Sequence, residues 1–471
     1  MKKFHNINGP YVRSSNSTDK IMIHLFISLL PIIIFSFYKN GIYLYINGYA
    51  NVYEMFKPLL FIVIGGLSSF LFETLYYKFI KHNSWKDSIK NKYAVFPGLF
   101  LSLVVPLNTP ISILIIGSFI ATVVGKLMYG GFGNNIFNPA LIGCLFIMSI
   151  YSSNIGTYLN NYEIDTISSA TPLTNQVLVD KVSYENLIEP YGSLYNFFTG
   201  MIPGSVGETC SLLIIISFIY LAITKVIKVR IPIIYVGTVF ILTYFIGTMN
   251  GLGIWYPLFQ ILSGGLLFGA VFMATDPVTS PVTKIGQVLY GVTLGILTVL
   301  FRYLTSAPEG VMTSILTVNM LVFIFDKIGI KAKEKDIKWI IYLLIIGIIF
   351  IVSLSLKNVI NTKNVDNNFE LVSVNEENGN KVYLVNEVGN GGKINIEIVL
   401  NDNKVISYKV LSHNETKAYY SKIEESNYIQ KLVENSNKLN SVDTVSGATI
   451  SSSALKKALQ NVLELEGIYE K

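Results

Sequence analysis

The sequence predicts a polytopic α-helical membrane protein, with about ten helices forming an inverted repeat, one extra helix, and a small extracytoplasmic α+β domain at the C-terminus. Three observations predict it. Of the 471 residues, 51% are hydrophobic and only 14% charged, and the mean hydropathy of +0.50 is too apolar for a water-soluble globule. Eleven apolar segments follow one another as far as residue 356. Beyond them the chain turns to Asn, Lys, Glu and Ser, and its apolar residues begin to alternate.

The apolar segments cover residues 21–38, 58–77, 94–105, 111–129, 139–151, 211–226, 231–247, 256–274, 285–301, 311–328 and 339–356. The third and fifth are short for a full crossing, and such segments in transport proteins meet inside the bundle rather than face lipid. The first lacks a small-residue cleavage site after it and reads as an anchor.

Lysine and arginine set the orientation. With the amino terminus in the cytoplasm, most basic loop residues lie inside, and the outer loops keep only Lys39, Lys57, Lys181 and Arg302. Trp85, Trp255 and Trp339 border apolar segments, as an interfacial belt requires. The formal charge of +6 therefore belongs to membrane topology, and no nucleic-acid partner is implied. Cys144 and Cys210 belong to no CxxC pair, and His5, His24, His82 and His413 are dispersed, so no metal, haem or iron-sulfur site built by this chain alone is expected.

A weak repeat relates two halves of the membrane region. Gly98-Leu99-Phe100 leading to Pro106 and Pro110, then a helix and a Gly/Asn-rich break ending in Asn138-Pro139, is echoed by Gly265-Leu266-Leu267-Phe268 leading to Asp276-Pro277 and Pro281, a helix, and Pro308-Glu309-Gly310. The copies are five segments apart and so run upside down to each other, a transporter signature. The plainer alternative is that Pro and Gly merely punctuate loops. Glu208, Asp276 and Glu309 sit beside these breaks, where ion paths are often marked, whereas Glu73 and Lys126 read as interfacial residues reaching toward water.

In the tail, alternating runs at 381–388, 394–400 and 405–411 predict strands, the last two joined by the turn Asn401-Asp402-Asn403. Residues 361–380 read as a polar linker and a leading strand. Helices are predicted around 423–433 and from Ser452, the latter with Leu455, Ala458, Leu459, Val462 and Leu463 on one face.

One stretch organises the rest. Asp165-Thr166-Ile167-Ser168-Ser169-Ala170-Thr171 returns as Asp443-Thr444-Val445-Ser446-Gly447-Ala448-Thr449, with five of the seven positions identical. Each copy sets a threonine hydroxyl at a predicted helix start, where backbone N–H groups and the helix dipole favour a phosphate. Two helix caps after turns would use the same residue types. The orientation, derived without either motif, places both threonines outside.

The second copy resembles the flavinylation motif Asp-x-x-(Ser/Thr)-Gly-Ala-Thr, in which a flavin transferase esterifies the phosphate of FMN to the threonine. The first is similar to the variant in the D component of Rnf-type ion-translocating ferredoxin:NAD oxidoreductases and in the B component of the sodium-pumping NADH:quinone oxidoreductase. Further matches in order are Asn134 to Ala140, Ser168 to Leu173, Pro203 to Thr209, Met273 to Pro281 and Glu309 to Met312. The last apolar segment and tail resemble the Rnf G component through His413-Asn414-Glu415-Thr416 and Asp443 to Ser452; the tail departs from that family after Thr416, where Lys417-Ala418-Tyr419-Tyr420 replaces a Pro-Gly-Leu-Gly run.

The resemblance implies three parts: 1–332 like the Rnf D component, 333–360 an additional transmembrane helix and linker, and 361–471 an extracytoplasmic FMN-binding domain like the Rnf G component. It implies covalent FMN on Thr171 and Thr449, with local contacts from Ser168, Ser169, Ser446, Gly447, Ala448, Glu415 and Thr416; Asn134, Asn135 and Asn138 in the Gly-rich break are open to either a noncovalent flavin, riboflavin among them, or a partner subunit. It also implies a bacterial inner-membrane location, other subunits of an oxidoreductase complex as partners, a flavin transferase for maturation, and membrane lipid around the bundle. The competing reading is a transporter or channel of inverted-repeat architecture with a small outside binding domain.

Overall fold

The computed structural model describes residues 17–89, 93–150, 158–159, 168–169, 172–173, 176, 182–305, 310–334, 338–356, 370–377, 380–389, 393–401, 404–413, 417–436, 439, 442, 444–445 and 448–466. The chain divides into two compact units, Met1–Val359 and Ile360–Lys471.

In the first unit, α1 (Thr18–Phe37) starts where Ser17 Oγ accepts from Lys20 N–H, and a π-helical turn (Tyr38–Ile42) carries it on to Ile46. Helix α2 (Val52–Phe79) opens in a capping box: Glu54 N–H donates to Asn51 Oδ1 at 3.0 Å, and Asn51 N–H to Glu54 Oε2 at 2.9 Å. After the short α3 (Trp85–Ile89), α4 (Phe96–Val104) has only nine residues. At about 1.5 Å of rise each it covers roughly half of a ~30 Å hydrocarbon layer. Next come α5 (Ile111–Phe119), prolonged by a π-helical turn (Ile120–Val124), and α6 (Pro139–Ile150). The described residues of the polar stretch that follows include the short helices α7 (Tyr184–Leu187) and α8 (Leu194–Thr199), besides helical Pro172, Leu173 and Gln176.

The second half runs α9 (Ser211–Ile223), α10 (Arg230–Met249), α11 (Trp255–Leu262), α12 (Leu266–Phe268, prolonged by a π-helical turn, Gly269–Met273), α13 (Lys284–Leu304), α14 (Val311–Asn319), α15 (Val322–Glu334) and α16 (Lys338–Ser355). All eleven apolar segments thus contain helix. Among the described residues, five helices are long and apolar enough to cross a membrane, or up to seven if the two bent pairs each count as one span. Those pairs, α11 with α12 and α14 with α15, bend by 65° and 62°. Breaks of this kind expose backbone that apolar surroundings cannot satisfy, so they have to be lined by protein or water.

Close approach of helices depends on small residues. A Cβ on Gly98 of α4 would overlap the Gly65 carbonyl oxygen, and one on Gly65 of α2 would lie 2.7 Å from Gly98 O. Glycine at both positions lets the two backbones touch, as in lipid, where packing replaces the hydrophobic effect between helices. Lys39 and Arg302, expected in outer loops, are instead buried at 1% and 5% exposure.

The second unit is an antiparallel meander in the order β3–β4–β5–β6 (Glu370–Glu377, Asn380–Val388, Lys393–Asn401, Lys404–His413); β1 and β2 are the two-residue pairing of Tyr158–Leu159 with Ser168–Ser169. Alternation along β5 sends Ile394, Ile396, Ile398 and Leu400 inward. They meet Leu455, Ala458, Leu459, Val462 and Leu463 of a C-terminal helix, the face expected from its periodicity. The helix expected around 423–433 is broken: α17 (Lys417–Glu425) and α18 (Tyr428–Glu434) flank Asn427, whose φ of 49° cannot continue a right-handed helix. The last helix, α19 (Thr449–Leu465), begins three residues before Ser452.

Glu466, just past α19, accepts from Lys381 Nζ at 2.8 Å and from Tyr383 OH, tying the helix end to β4. These hydrogen bonds, that from Lys381 first, hold its carboxyl below the usual carboxylate range. A depressed carboxyl stabilises the fold above its unfolded-state pKa and loses that contribution as pH falls through its folded-state value. Glu466→Gln is therefore expected to lower the unfolding midpoint of this unit near neutral pH by the equivalent of less than ~1 kcal/mol. The difference from the unsubstituted chain should vanish in acid, as read by thermal melts of the full chain across a pH series.

Candidate functional site

The C-terminal motif ends in a helix start. Ala448 is the residue before α19 and is buried, and Thr449 is the first helical residue. The helical ladder opens with Ser452 N–H donating to Ala448 O at 2.9 Å, so the N–H groups of Thr449, Ile450 and Ser451 precede it at the positive end of a seventeen-residue helix. Ser452 Oγ reaches back to accept from Val445 N–H at 3.1 Å, and Lys456 Nζ donates to Val442 O at 2.9 Å. The turn is thus pinned on both sides of the threonine. This chemistry fits a phosphate ester, since the dipole and leading N–H groups favour an anion on the Thr449 side chain. Ser446, Gly447, Glu415 and Thr416 lie outside the described residues. The departure after Thr416 places Tyr420 in α17, stacked on His413 with ring centroids 3.7 Å apart.

For the first motif, Ser168 and Ser169 form β2 against Tyr158–Leu159, and Pro172 and Leu173 are helical and buried. Thr171 lies outside the described residues.

Inside the bundle, α4 and the α12 region face each other through rings: Phe100 lies 6.4 Å from Phe268 and 6.3 Å from Phe272, centroid to centroid. Beside them an open cleft is lined by Phe100, Phe132, Asn135, Asn138, Phe272 and Asp276. Asn138 spans it, its Nδ2 donating to Met273 O at 3.4 Å and its Oδ1 accepting from Ala140 N–H at 3.1 Å. Asp276 ends the broken segment and accepts from Thr279 Oγ1 at 3.1 Å. Glu208 is buried with its carboxylate packed against Gly265, in the break between α11 and α12. Glu309 lies outside the described residues.

Besides Lys39, two ionisable sites depart from the sequence-based expectation. Glu73 and Lys126 do not reach for water: they pair at 2.6 Å, with side chains 2% and 4% exposed, and Lys126 Nζ also lies 5.6 Å from the Phe132 ring centre. In an apolar bundle a partner offsets desolvation better than a stretch to the interface does. Arg302 donates through NH1 to Gln260 O at 2.5 Å and Gln260 Oε1 at 3.1 Å, and through NH2 to Ser263 O at 3.5 Å. It therefore satisfies carbonyls released where α11 ends. The one sequence signal was its position as a lone arginine among sparsely charged outer segments.

A family model described as the NQR2, RnfD, RnfE family matches residues 6–335. The chain belongs to the NQR2/RnfD/RnfE family. A second model, described as FMN-binding domain, matches residues 389–464, which hold β5, β6 and nearly all of α19. Among relatives of this NQR2/RnfD/RnfE chain, the D component of the proton-translocating ferredoxin:NAD(+) oxidoreductase complex of Clostridium ljungdahlii is 34% identical over 326 residues, covering 68% of this chain and 92% of the relative. The D component of the Na(+)-translocating ferredoxin:NAD(+) oxidoreductase complex of Acetobacterium woodii is 29% identical over 343 residues, covering 70% and 97%. The B component of the Na(+)-translocating NADH-quinone reductase of Chromohalobacter salexigens is 33% identical over 261 residues, covering 53% and 62%.

The buried pair makes a sharp test. Glu73→Leu leaves the Lys126 cation enclosed without its carboxylate and should cost about 3–5 kcal/mol. Adding Lys126→Met should recover most of it. Thermal unfolding of the detergent-solubilised chain reads both, and a double variant no better than the single one contradicts the pairing.

Proposed function

We propose that this chain is a membrane electron-transfer subunit of an Rnf-like ferredoxin:NAD oxidoreductase complex, carrying one FMN on Thr171 and one on Thr449 by phosphoester bonds. It relays electrons along the extracytoplasmic side while the complex moves Na+ or H+ across the membrane. The observation that carries this reading is the repeated heptapeptide. Its second copy ends on the first residue of α19, within the FMN-binding match, where a helix N-terminus suits a phosphate. FMN would supply redox chemistry in single-electron steps. The protein's part is positional: Thr171 and Thr449 hold the anchor, the turn pinned by Ser452 and Lys456 fixes its direction, and the tether keeps the flavin at a constant distance from its redox partner.

The finer assignments belong to the same proposal. The chain crosses the membrane eleven times, with the amino terminus in the bacterial cytoplasm and residues from about 357 onward outside. It comprises a part like the Rnf D component (1–332), a helix and linker (333–360) and a domain like the Rnf G component (361–471). A flavin transferase attaches both groups, with contacts from Ser168, Ser169, Ser446, Gly447, Ala448, Glu415 and Thr416. Other subunits exchange electrons with the soluble carriers. The cleft beside Asn135 and Asn138 has the ring-lined, sparsely polar character of a site for a noncovalent flavin such as riboflavin. The bent pairs favour a second reading, a transporter or channel in which the threonine motifs are only structural.

In-gel flavin fluorescence after denaturation separates the two. Chain made in cells with a flavin transferase should fluoresce, each of Thr171→Ala and Thr449→Ala should retain part of the signal, and the double variant should lose it. A dark unsubstituted chain supports the transporter reading.

A further inference from the structure

A buried hydrogen-bonded network joins the stretch just after the first motif to the break in the membrane. Gln176, five residues beyond Thr171, donates through Nε2 to Tyr256 OH at 2.9 Å and accepts through Oε1 from Gln260 Nε2 at 2.6 Å. Tyr256 and Gln260 are four apart on α11 and so share one face, and the single Gln176 amide grips both. Both are fully buried, and Tyr256 OH also meets Tyr303 OH at 2.5 Å.

The direction of the amide hydrogen bonds in this network is fixed by Arg302. A guanidinium only donates, so Gln260 must turn Oε1 toward NH1 and leave Nε2 to donate onward. Gln176 then has to accept at Oε1 and donate at Nε2, which makes Tyr256 OH an acceptor from it. The same Arg302 holds Gln260 O and Ser263 O at the break between α11 and α12. Sequence distance sets the reach: at no more than ~3.6 Å per residue, Thr171 lies within about 18 Å of Gln176.

We propose that Gln176 is a positioning residue that docks the Thr171-bearing segment onto the α11–α12 break, so that the flavin on Thr171 is held in fixed register with the bent span. This rests on the reading of Thr171 as a flavin anchor. Its half-buried amide supplies hydrogen bonds to the buried Tyr256 hydroxyl and the buried Gln260 amide, which favours the docked arrangement.

The test uses the purified full-length chain in a Thr449→Ala background, leaving the flavin on Thr171, with an acceptor dye on Ile254→Cys, an exposed position at the start of α11. Time-resolved energy transfer from flavin to dye reports the distance distribution, and peptide mass reports FMN on Thr171. Gln176→Leu keeps the bulk of the side chain and removes both bonds. The distribution should broaden about twofold, as for a segment freed to move on the nanosecond scale, with FMN still attached. Tyr256→Phe, which removes one of the two bonds to Gln176, should broaden it less and provides the reading if Gln176→Leu does not fold. An unchanged width in a flavinylated variant overturns the positioning role. Absence of FMN from Thr171 in the unsubstituted chain instead overturns the anchor on which that role rests.

Discussion

Broken backbone inside an apolar bundle is the constraint on which the rest of this structure depends. Where α11 stops short of α12, carbonyls lose their helical partners, and hydrocarbon offers them none. Arg302 answers for Gln260 O and Ser263 O, Glu208 packs against Gly265 in the same break, and Asn138 donates to Met273 O at the far end of the broken segment. Each of these polar side chains is itself buried, which is tolerable because each is hydrogen-bonded or packed into the gap it serves. The contact of Gly65 with Gly98 packs the short α4 closely against α2. There the rings of Phe100, Phe268 and Phe272 close the space between the two short segments.

The proposed flavin anchors obey a different requirement. A threonine ester is useful only where its phosphate is welcome and its direction is fixed. The start of α19 offers both: leading N–H groups at a positive helix end, and a turn held by Ser452 and Lys456 over a core that includes Leu455, Ala458 and Leu459. Thr171 lies outside the described residues; five residues on, Gln176 is hydrogen-bonded to Tyr256 and Gln260 of α11.

Legibility followed the reach of each interaction along the chain. Hydropathy reports burial of a whole element, and all eleven apolar segments contain helix; period-two runs became β4 to β6, and the apolar face of α19 packs as its spacing implied. The heptapeptide was readable because it is a local string. Pairings across the fold were not: Glu73 and Lys126 are 53 residues apart, and nothing near either names the other, although an ionisable group within an apolar run is itself a sign that a partner exists. Arg302 looked like a loop residue because carbonyls freed by a break leave no mark in composition. Gln176 was one polar residue in a polar stretch. The break at Asn427 turns on a single positive φ, which asparagine permits without announcing.

The most direct measurement is the intact mass of the chain purified from cells that possess the flavin transferase, followed by digestion to locate any added mass. The account predicts two additions, each equal to FMN less water, on the peptides containing Thr171 and Thr449. A chain of unmodified mass, or one modified at other residues, contradicts it.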